Sequence, residues 1–255
     1  SGVAYYFGRD LHKAKNIPIG IIQSSVGGTA IETWISRESL LKYEPLREKV
    51  KAMSNTPIDI RAAMDQYHLD TVKWMAAVNQ YESTTLRYHE PGYDDSGWRA
   101  DILPGVCPDL NSTDGSWWYR KTIDIPSSWV GQNLKLDLGP IDDMDDTWFN
   151  GVFVGGRYGA SNMRSYVISS TLVKPGKNVI AVRVIDINFR GGLYGIPENL
   201  KLSCGTTESI TLAGAWKSHS GTNLSQLPKL PTNPFTYYRE SGFYNGMIHP
   251  LVGLP

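Results

Sequence analysis

The sequence predicts an α/β unit in two pieces, with an all-β sandwich inserted between them. A helical pattern over 3–15, a β-branched run over 17–23 and a small-residue loop over 24–29 lead into a second helix, an order typical of α/β layers. From 93 to about 216, short β-type runs alternate with turn signals every roughly 8 to 12 residues, which favours a sandwich. The 25 glycines, 15 prolines and 14 tyrosines fit a chain with many turns and a large β component.

Charge and composition exclude several classes of protein. The 25 basic residues balance the 25 acidic ones, which argues against a nucleic-acid binder and against a polybasic membrane-surface protein. No apolar run approaches the ~20 residues of a membrane span. Cys107 and Cys204 are too few for a disulfide framework and lack metal-ligand spacing, so we expect two buried thiols or one disulfide, no metal site and no cofactor. Because the chain opens on Ser1 rather than Met, we expect an internal fragment of a longer protein.

The flanking elements have local start and stop signals. The amphipathic helix over 3–15 should end at Asn16 and Pro18. The run over 17–23 is apolar on both faces, as in a central parallel strand. Ser36 is a candidate N-cap for the helix that follows.

The remaining elements are a long helix and a series of strands. Apolar residues at three- and four-residue spacing predict a helix over 58–88. Asn150-Gly151 between β-type runs predicts a hairpin with a type I′ turn. Residues 217–236 read as a linker. The clearest β-type runs are 116–125, 133–138, 147–154, 166–169, 178–185 and 200–202.

Two segments of the predicted sandwich are rich in functional groups. Asp142, Asp143, Asp145 and Asp146 suggest calcium, but the EF-hand loop glycine and distal Glu are missing, so we interpret them as an acidic surface loop before a strand. The glycine-rich segment over 190–195 is no phosphate loop, because no Lys-Ser or Lys-Thr follows it. Its tyrosine, Tyr194, offers a stacking face and a hydroxyl to a sugar.

Several stretches of the chain point to one family. The segments over 3–9, 17–34 and 244–251 (the last reading Tyr-Asn-Gly-Met-Ile-His-Pro-Leu) resemble carbohydrate O-acetylesterases of the sialate O-acetylesterase type, in the SGNH hydrolase superfamily. Residues 142–151 are similar to the galactose-binding-like jelly roll that these enzymes insert in their catalytic domain. The resemblance implies three parts: 1–89, the N-terminal part of the SGNH α/β domain; 90–217, the inserted jelly roll; and 218–255, a linker and return segment.

The resemblance also implies a serine-hydrolase mechanism that removes acetyl esters from sugar hydroxyls, most naturally on sialate. Gly27 and Gly28 would form the oxyanion loop. The family's Gly-Gln-Ser-Asn-Met and Gln-Gly-Glu-Ser-Asn blocks do not occur, and the Asp-x-x-His spacing of Asp65 and His68 falls inside the predicted helix. Ser24 and Ser25 lack a nucleophile-elbow pattern and read as structural hydroxyls. We therefore expect an esterase as the full-length parent and no activity in this chain alone.

The resemblance adds expectations about ligands and location. Trp34 and Tyr194 are candidate substrate-binding residues, and an O-acetylated sugar is the expected partner, with no nucleic acid and no membrane. A homodimer of the fragment would cover an unpaired strand edge. The parent is expected outside the cytoplasm, in the periplasm or secreted. The alternative function is a non-enzymatic carbohydrate-binding protein in which the jelly roll recognises the sugar.

Overall fold

The structure is a computed structural model that describes residues 2–22, 31–52, 59–106, 114–187, 191–232, 238–240 and 243–245. The chain divides into two compact units. One unit comprises Ser1–His68 with Thr232–Pro255, and the other is Leu69–Pro231.

The first unit is mainly helical in its described part. Its helices are α1 (Gly2–Lys15), α2 (Arg37–Lys42), α3 (Glu44–Ala52) and the first turns of α4 (Ile60–Thr85), and Tyr238–Glu240 pairs antiparallel with Phe243–Asn245. Asn16 follows α1 with a positive φ of 51°, the left-handed conformation that ends many helices, so the predicted stop is confirmed. The Ser36 side chain accepts a hydrogen bond from the Ser39 backbone N–H at 3.3 Å, which confirms the predicted N-cap of α2.

The predicted parallel strand over 17–23 is wrong for its described residues, because 17–22 form no strand. A strand needs a neighbour for its backbone groups, and no strand pairs with this run within the described part of the chain. Ile21 packs instead against α1 at Gly8, where an added β-carbon would lie 2.7 Å from the Ile21 side chain. These residues therefore give no support to an SGNH α/β sheet.

The second unit is an antiparallel β-sandwich with α4 on one sheet. Its first sheet has the strand order β1-β12-β3-β8-β5-β6, and its second has the order β11-β10-β4-β9-β2, with β7 also paired to β4. The predicted sandwich is confirmed. The strands are β1 (Arg99–Leu103), β2 (Gly105–Val106), β3 (Gly115–Ile125), β4 (Leu134–Asp142), β5 (Met144–Phe149), β6 (Val152–Tyr158), β7 (Met163–Ile168), β8 (Gly176–Asp186), β9 (Gly192–Leu193), β10 (Leu200–Cys204), β11 (Glu208–Thr211) and β12 (Gly214–Asn223).

The sandwich core forms from alternate residues of facing strands. Ile180, Val182 and Val184 of β8 point inward and meet β4 residues such as Leu136 and Leu138, and all five are fully buried. Such burial is the main source of the unit's stability.

Two predicted connections have different outcomes. Asn150 and Gly151 join β5 to β6 with φ of 50° and 82°, which confirms the predicted type I′ hairpin. The predicted linker over 217–236 is wrong at its start, because β12 continues to Asn223 and pairs with β3. The serines and the glycine of this stretch are not typical of a strand. Its pairing partner, β3, lies about 100 residues earlier in the chain and gives no local signal.

Helix α4 confirms the long helix predicted over 58–88. Trp74, Met75 and Val78 pack on Met144 and Ile185, which project from the outer face of the first sheet. The predicted apolar face is shifted, because Tyr81 is 46% exposed whereas the neighbouring Glu82 is fully buried. A buried carboxylate at this position requires a specific partner.

Gly155 allows a close approach between β6 and the Tyr166 ring, and its replacement tests this packing. A β-carbon added at Gly155 would lie 2.2 Å from that ring, whose hydroxyl is held by a hydrogen bond to Asp145. We expect Gly155→Ala to lower the free energy of unfolding by about 1–3 kcal/mol, the usual cost of overpacking. Urea denaturation measures this change.

Gly97→Ala is the matched control, because nothing lies within 4 Å of its added β-carbon. Equal stability of the two variants would contradict the close contact between Gly155 and Tyr166.

Candidate functional site

A buried arginine joins α4 to the first sheet. Arg183 of β8 is fully buried, and its Nη1 donates to Glu82 Oε2 at 3.0 Å and to the Val78 carbonyl at 3.1 Å. Its Nη2 donates to the Asp146 carboxylate of β5. The guanidinium also lies 5.7 Å from the ring centroids of Trp118 and Trp148. Arg183 therefore binds a helix, a neighbouring strand and two indole rings at once.

Glu82 extends this network to two further strands. Its Oε1 accepts hydrogen bonds from the Ser116 hydroxyl of β3 and from the Thr222 backbone N–H of β12, the latter at 2.9 Å. One helical carboxylate thus contacts three strands through buried hydrogen bonds. Breaking one part of such a network leaves other buried charges without partners.

A second buried arginine organises one end of the sandwich. Arg164 of β7 donates from Nε to Asp145 Oδ1 at 2.8 Å, and Tyr166 donates to the other oxygen of the same carboxylate, also at 2.8 Å. The Arg164 Nη atoms donate to the carbonyls of Asp143, Arg157, Gly159 and Asn162. This guanidinium therefore fixes the turn between β6 and β7.

The four clustered aspartates do not form the acidic surface loop that we predicted. Asp145 and Asp146 are buried within β5 and are bound by Arg164 and Arg183. The strand places these neighbours on opposite faces of the first sheet, one toward each arginine. Only Asp142 and Asp143 are partly exposed. Among the described residues, no group of three His, Cys, Asp or Glu side chains has a geometry that could hold a metal ion.

Tyr194 lies beside the exposed pair of aspartates. It directly follows β9, whose residues Leu193 and Gly192 pair with Ile141 and Asp142 of β4. The Tyr194 hydroxyl donates to the Ala160 carbonyl at 2.8 Å, within the turn that Arg164 fixes. Burial and the Asp142 carboxylate raise the pKa of Tyr194. We call this partly exposed group, Asp142, Asp143, Asp186 and Tyr194, the polar end of the sandwich.

The carboxylates of the polar end also bind the backbone. Asp143 Oδ2 accepts from the Ile187 N–H, and Asp186 Oδ2 accepts from the Gly191 N–H, both at 2.9 Å. Burial raises the pKa of Asp143 to about 7, and the nearby Asp142 and Asp186 add to this shift. In the first sheet, burial likewise raises the pKa of Asp146 to about 6 against the opposing effect of Arg183.

The other residues singled out in the sequence have separate outcomes. Trp34 ends a short 3-10 helix, Ile31–Trp34, in the first unit and is 38% exposed. Gly27, Gly28 and Cys107 lie outside the described residues. Cys204 is a buried free thiol whose Sγ lies 3.3 Å from Gln132 Oε1. No helix within the described ranges is long and apolar enough to cross a membrane.

Sequence reasoning missed Arg164 and Arg183, although a signal for Arg183 was present. Arg183 sits in the run Val-Ile-Ala-Val-Arg-Val-Ile, which is apolar on both faces and therefore typical of a buried strand. An arginine inside such a strand requires a buried carboxylate partner. The Asp145-Asp146 pair was the natural candidate, but nothing local in the sequence connects it to residues 19 and 37 positions later.

The fold and its polar end define an antiparallel β-sandwich domain with a helix on its first sheet, and comparison with known proteins assigns its family. The family model for the glycosyl hydrolases family 2 sugar binding domain matches residues 50–218, which is more than half of the chain. The chain belongs to this family. None of the curated proteins gives a significant match.

Several solved structures are similar to part of the chain. β-Glucuronidase 2 of Bacteroides uniformis is 22% identical over 51% of this chain and 15% of its own, with a TM-score of 0.38. A β-glycosidase from Bacteroides vulgatus is 23% identical over 43% of this chain and 17% of its own, with a TM-score of 0.37. The chain thus spans about one sixth of the length of these enzymes.

The family assignment corrects the predicted activity. The interpretation as a sialate O-acetylesterase of the SGNH type, with a serine esterase as the parent enzyme, is wrong, because the family model is that of a glycoside hydrolase domain. The quoted stretches over 3–9, 17–34 and 244–251 lie outside the matched range, and only 142–151 lies within it. Short similar stretches therefore misled the assignment, whereas the sugar-related β-sandwich was identified correctly.

Glu82 provides a direct test of the network around Arg183. We expect Glu82→Gln to lower the free energy of unfolding by about 3 kcal/mol, since removing one partner of a buried ion pair leaves its charge uncompensated. Urea denaturation at pH 7.5 measures this loss.

Lys135→Gln is the control, because it removes the exposed cation of a surface pair with the partly buried Asp137, which should change stability by less than about 1 kcal/mol. If Glu82→Gln lowered the free energy of unfolding by as little as the control does, the buried charge of Arg183 would not need Glu82 as a partner.

The raised pKa of Asp143 predicts a pH dependence with a definite sign. The folded state holds this proton more tightly than the unfolded state, so the contribution of Asp143 is complete below about pH 4 and is lost as pH rises through about 7. We expect Asp143→Asn to reduce this decline by up to about 1.4 kcal/mol per pH unit. Denaturation curves between pH 4 and 8 measure the slope, and an unchanged slope would contradict the assignment.

Proposed function

We propose that the sandwich binds a saccharide, as the sugar-recognition domain of a carbohydrate-active enzyme of the glycoside hydrolase type. The match of the family 2 sugar binding domain to residues 50–218 is the observation that supports this function. It favours the alternative drawn from the sequence, in which the β-sandwich recognises carbohydrate. The proposed role of these residues is recognition, and no bond-breaking step is assigned to them.

We place the saccharide at the polar end. Sugar hydroxyls are hydrogen-bond donors, and the partly exposed carboxylates of Asp142 and Asp143 are acceptors. An aromatic ring beside such acceptors offers a flat apolar face to the C–H groups of a pyranose, and we propose this role for the partly exposed Tyr194. The combination of one aromatic face with a few directed polar groups is typical of small-molecule sites.

The buried network beneath supports this placement. Arg164 fixes the turn that contains the Ala160 carbonyl, and that carbonyl holds the Tyr194 hydroxyl. The tyrosine is therefore oriented before any ligand arrives, which reduces the entropy lost on binding.

Other predicted features stay predictions. The proposed ligand is a saccharide without a required acetyl group, since the O-acetylated substrate followed from the esterase assignment. Contact of Trp34 with substrate, the homodimer and the location outside the cytoplasm are predictions of this kind.

The test is binding of the chain to a panel of neutral, amino and uronic saccharides on a glycan array, followed by calorimetry on the best ligand. Tyr194→Ala removes the ring and should weaken binding at least ~10-fold, in the range found when an interface aromatic is truncated. Tyr194→Phe keeps the ring but loses the bond to Ala160, so we expect an intermediate loss.

Tyr81→Ala is the control, since Tyr81 is an exposed tyrosine on α4. Wild-type binding that Tyr194→Ala leaves unchanged would move the site away from the polar end. Failure of every saccharide to bind the folded chain would overturn the proposed function itself.

A further inference from the structure

The segment over 86–98, which we call the covering segment, packs on aromatic side chains of the first sheet. Trp118 of β3 and Trp148 of β5 stack with ring centroids 5.0 Å apart. The Tyr88 ring of the covering segment meets Trp118 edge to face at 5.7 Å, and the His89 ring lies 5.5 Å from Trp148. Both tryptophans are buried. The covering segment thus contributes to keeping this pair away from water.

A third buried arginine holds the covering segment on either side of His89. Arg120 of β3 donates from Nη1 to the carbonyls of Tyr88 and Glu90, the latter at 3.0 Å. Its Nε donates to Asp95 Oδ2 at 2.8 Å. His89 is therefore positioned by the two carbonyls that flank it, and its own ring nitrogens are not needed for that positioning.

The ring of His89 is poorly placed to accept a proton. Its Nδ1 is buried, and no described residue forms a hydrogen bond with it. The imidazolium form would carry an N–H at that atom, so protonation would bury a donor without an acceptor. Burial accordingly lowers the pKa of His89.

The charges around His89 also oppose protonation. From its own segment, Arg87 disfavours the imidazolium and Glu90 favours it. Arg120 from β3 and Arg183 from β8 both disfavour it. Arg120 is paired with Asp95, and Arg183 is paired with Glu82 and Asp146. Three cations thus disfavour the imidazolium, and the one carboxylate that favours it, Glu90, is itself paired with Arg87 at 2.6 Å.

We propose that protonation of His89 releases the covering segment from Trp148, so that the sandwich exposes its tryptophan pair in acid. A released histidine takes up a proton near pH 6.5, whereas the packed one resists it. Below pH 6.5 the released form therefore binds one more proton, and its population relative to the packed form rises about tenfold per pH unit until the packed histidine also titrates. This device is independent of saccharide binding.

Hydrogen exchange read by mass spectrometry tests the proposal on the full chain. Between pH 7.5 and 5, we expect the protection factors of amides in 86–98 to fall several-fold, while those of the central strand β8 change much less. His89→Gln keeps a polar side chain that does not titrate, and its covering segment should remain protected at pH 5.

His219→Gln is the matched control. His219 contacts the same aromatic group, with its ring 5.3 Å from Trp98 and 5.5 Å from Tyr88, but it is exposed. This variant should open in acid as the wild type does. Acid opening that persists in His89→Gln, or is lost in His219→Gln, would overturn the proposal.

A second measurement does not depend on any variant folding. The pKa of His89 in the wild-type chain can be followed by NMR of the imidazole carbon-bound protons. A value below 6.5, together with loss of protection over the same pH range, supports the mechanism. A value at or above 6.5 contradicts it, because the packed form would then hold the proton as well as the released one.

Discussion

The sandwich depends on the requirement that a buried guanidinium meet carboxylates. Arg183 lies in the central strand β8, and its partners come from β5 and from α4. Apolar packing of Trp74 and Val78 on the sheet tolerates small rotations of the helix. The directed contacts of Glu82 with Arg183, Ser116 and Thr222 do not, so they fix the register of α4 on the first sheet. Hydrophobic burial supplies the stability, and the charged network selects one arrangement.

The same rule shapes the other parts of the unit. Arg164 donates hydrogen bonds to Asp145 of β5 and to four backbone carbonyls, and it thereby orders the turn next to Tyr194. Arg120 donates hydrogen bonds to Asp95 and to two backbone carbonyls, and it thereby orders the covering segment. Arg164 and Arg120 each project from a strand and bind carbonyls of an irregular segment. Without these arginines, those buried carbonyls would be unpaired. The turn after β6 and the covering segment are therefore held by directed hydrogen bonds, as a preorganised binding surface requires.

The sequence predicted what is local and missed what is distant. The N-cap at Ser36, the end of α1 at Asn16 and the Asn150-Gly151 turn were predictable because each depends on a few neighbouring residues. The run over 17–23 has the composition of a strand, but strand formation depends on a partner that composition does not reveal. Of the residues at the polar end, only Tyr194 was predicted to bind a ligand. The rest of this site could not be predicted, because the turn that orients Tyr194 is held by Arg164, thirty positions earlier in the chain. The family assignment failed for a related reason, since short motifs outside the sandwich outweighed the pattern of the whole domain.

Proton binding stabilises the folded sandwich at some residues and destabilises its packing at another. Burial raises the pKa values of Asp143 and Asp146, so acid favours the folded state at those positions. Burial lowers the pKa of His89, so acid disfavours the packed state there. Below pH 6.5, until the packed His89 also takes up its proton, the two effects oppose each other, and a global unfolding curve reports only their difference. The aspartates and His89 hold different segments, so their opposing effects on stability cancel only when the whole domain unfolds. Local opening of the covering segment responds to His89 alone as long as β5 and β8 stay paired, so a pH change can move one surface of the domain while its core remains intact.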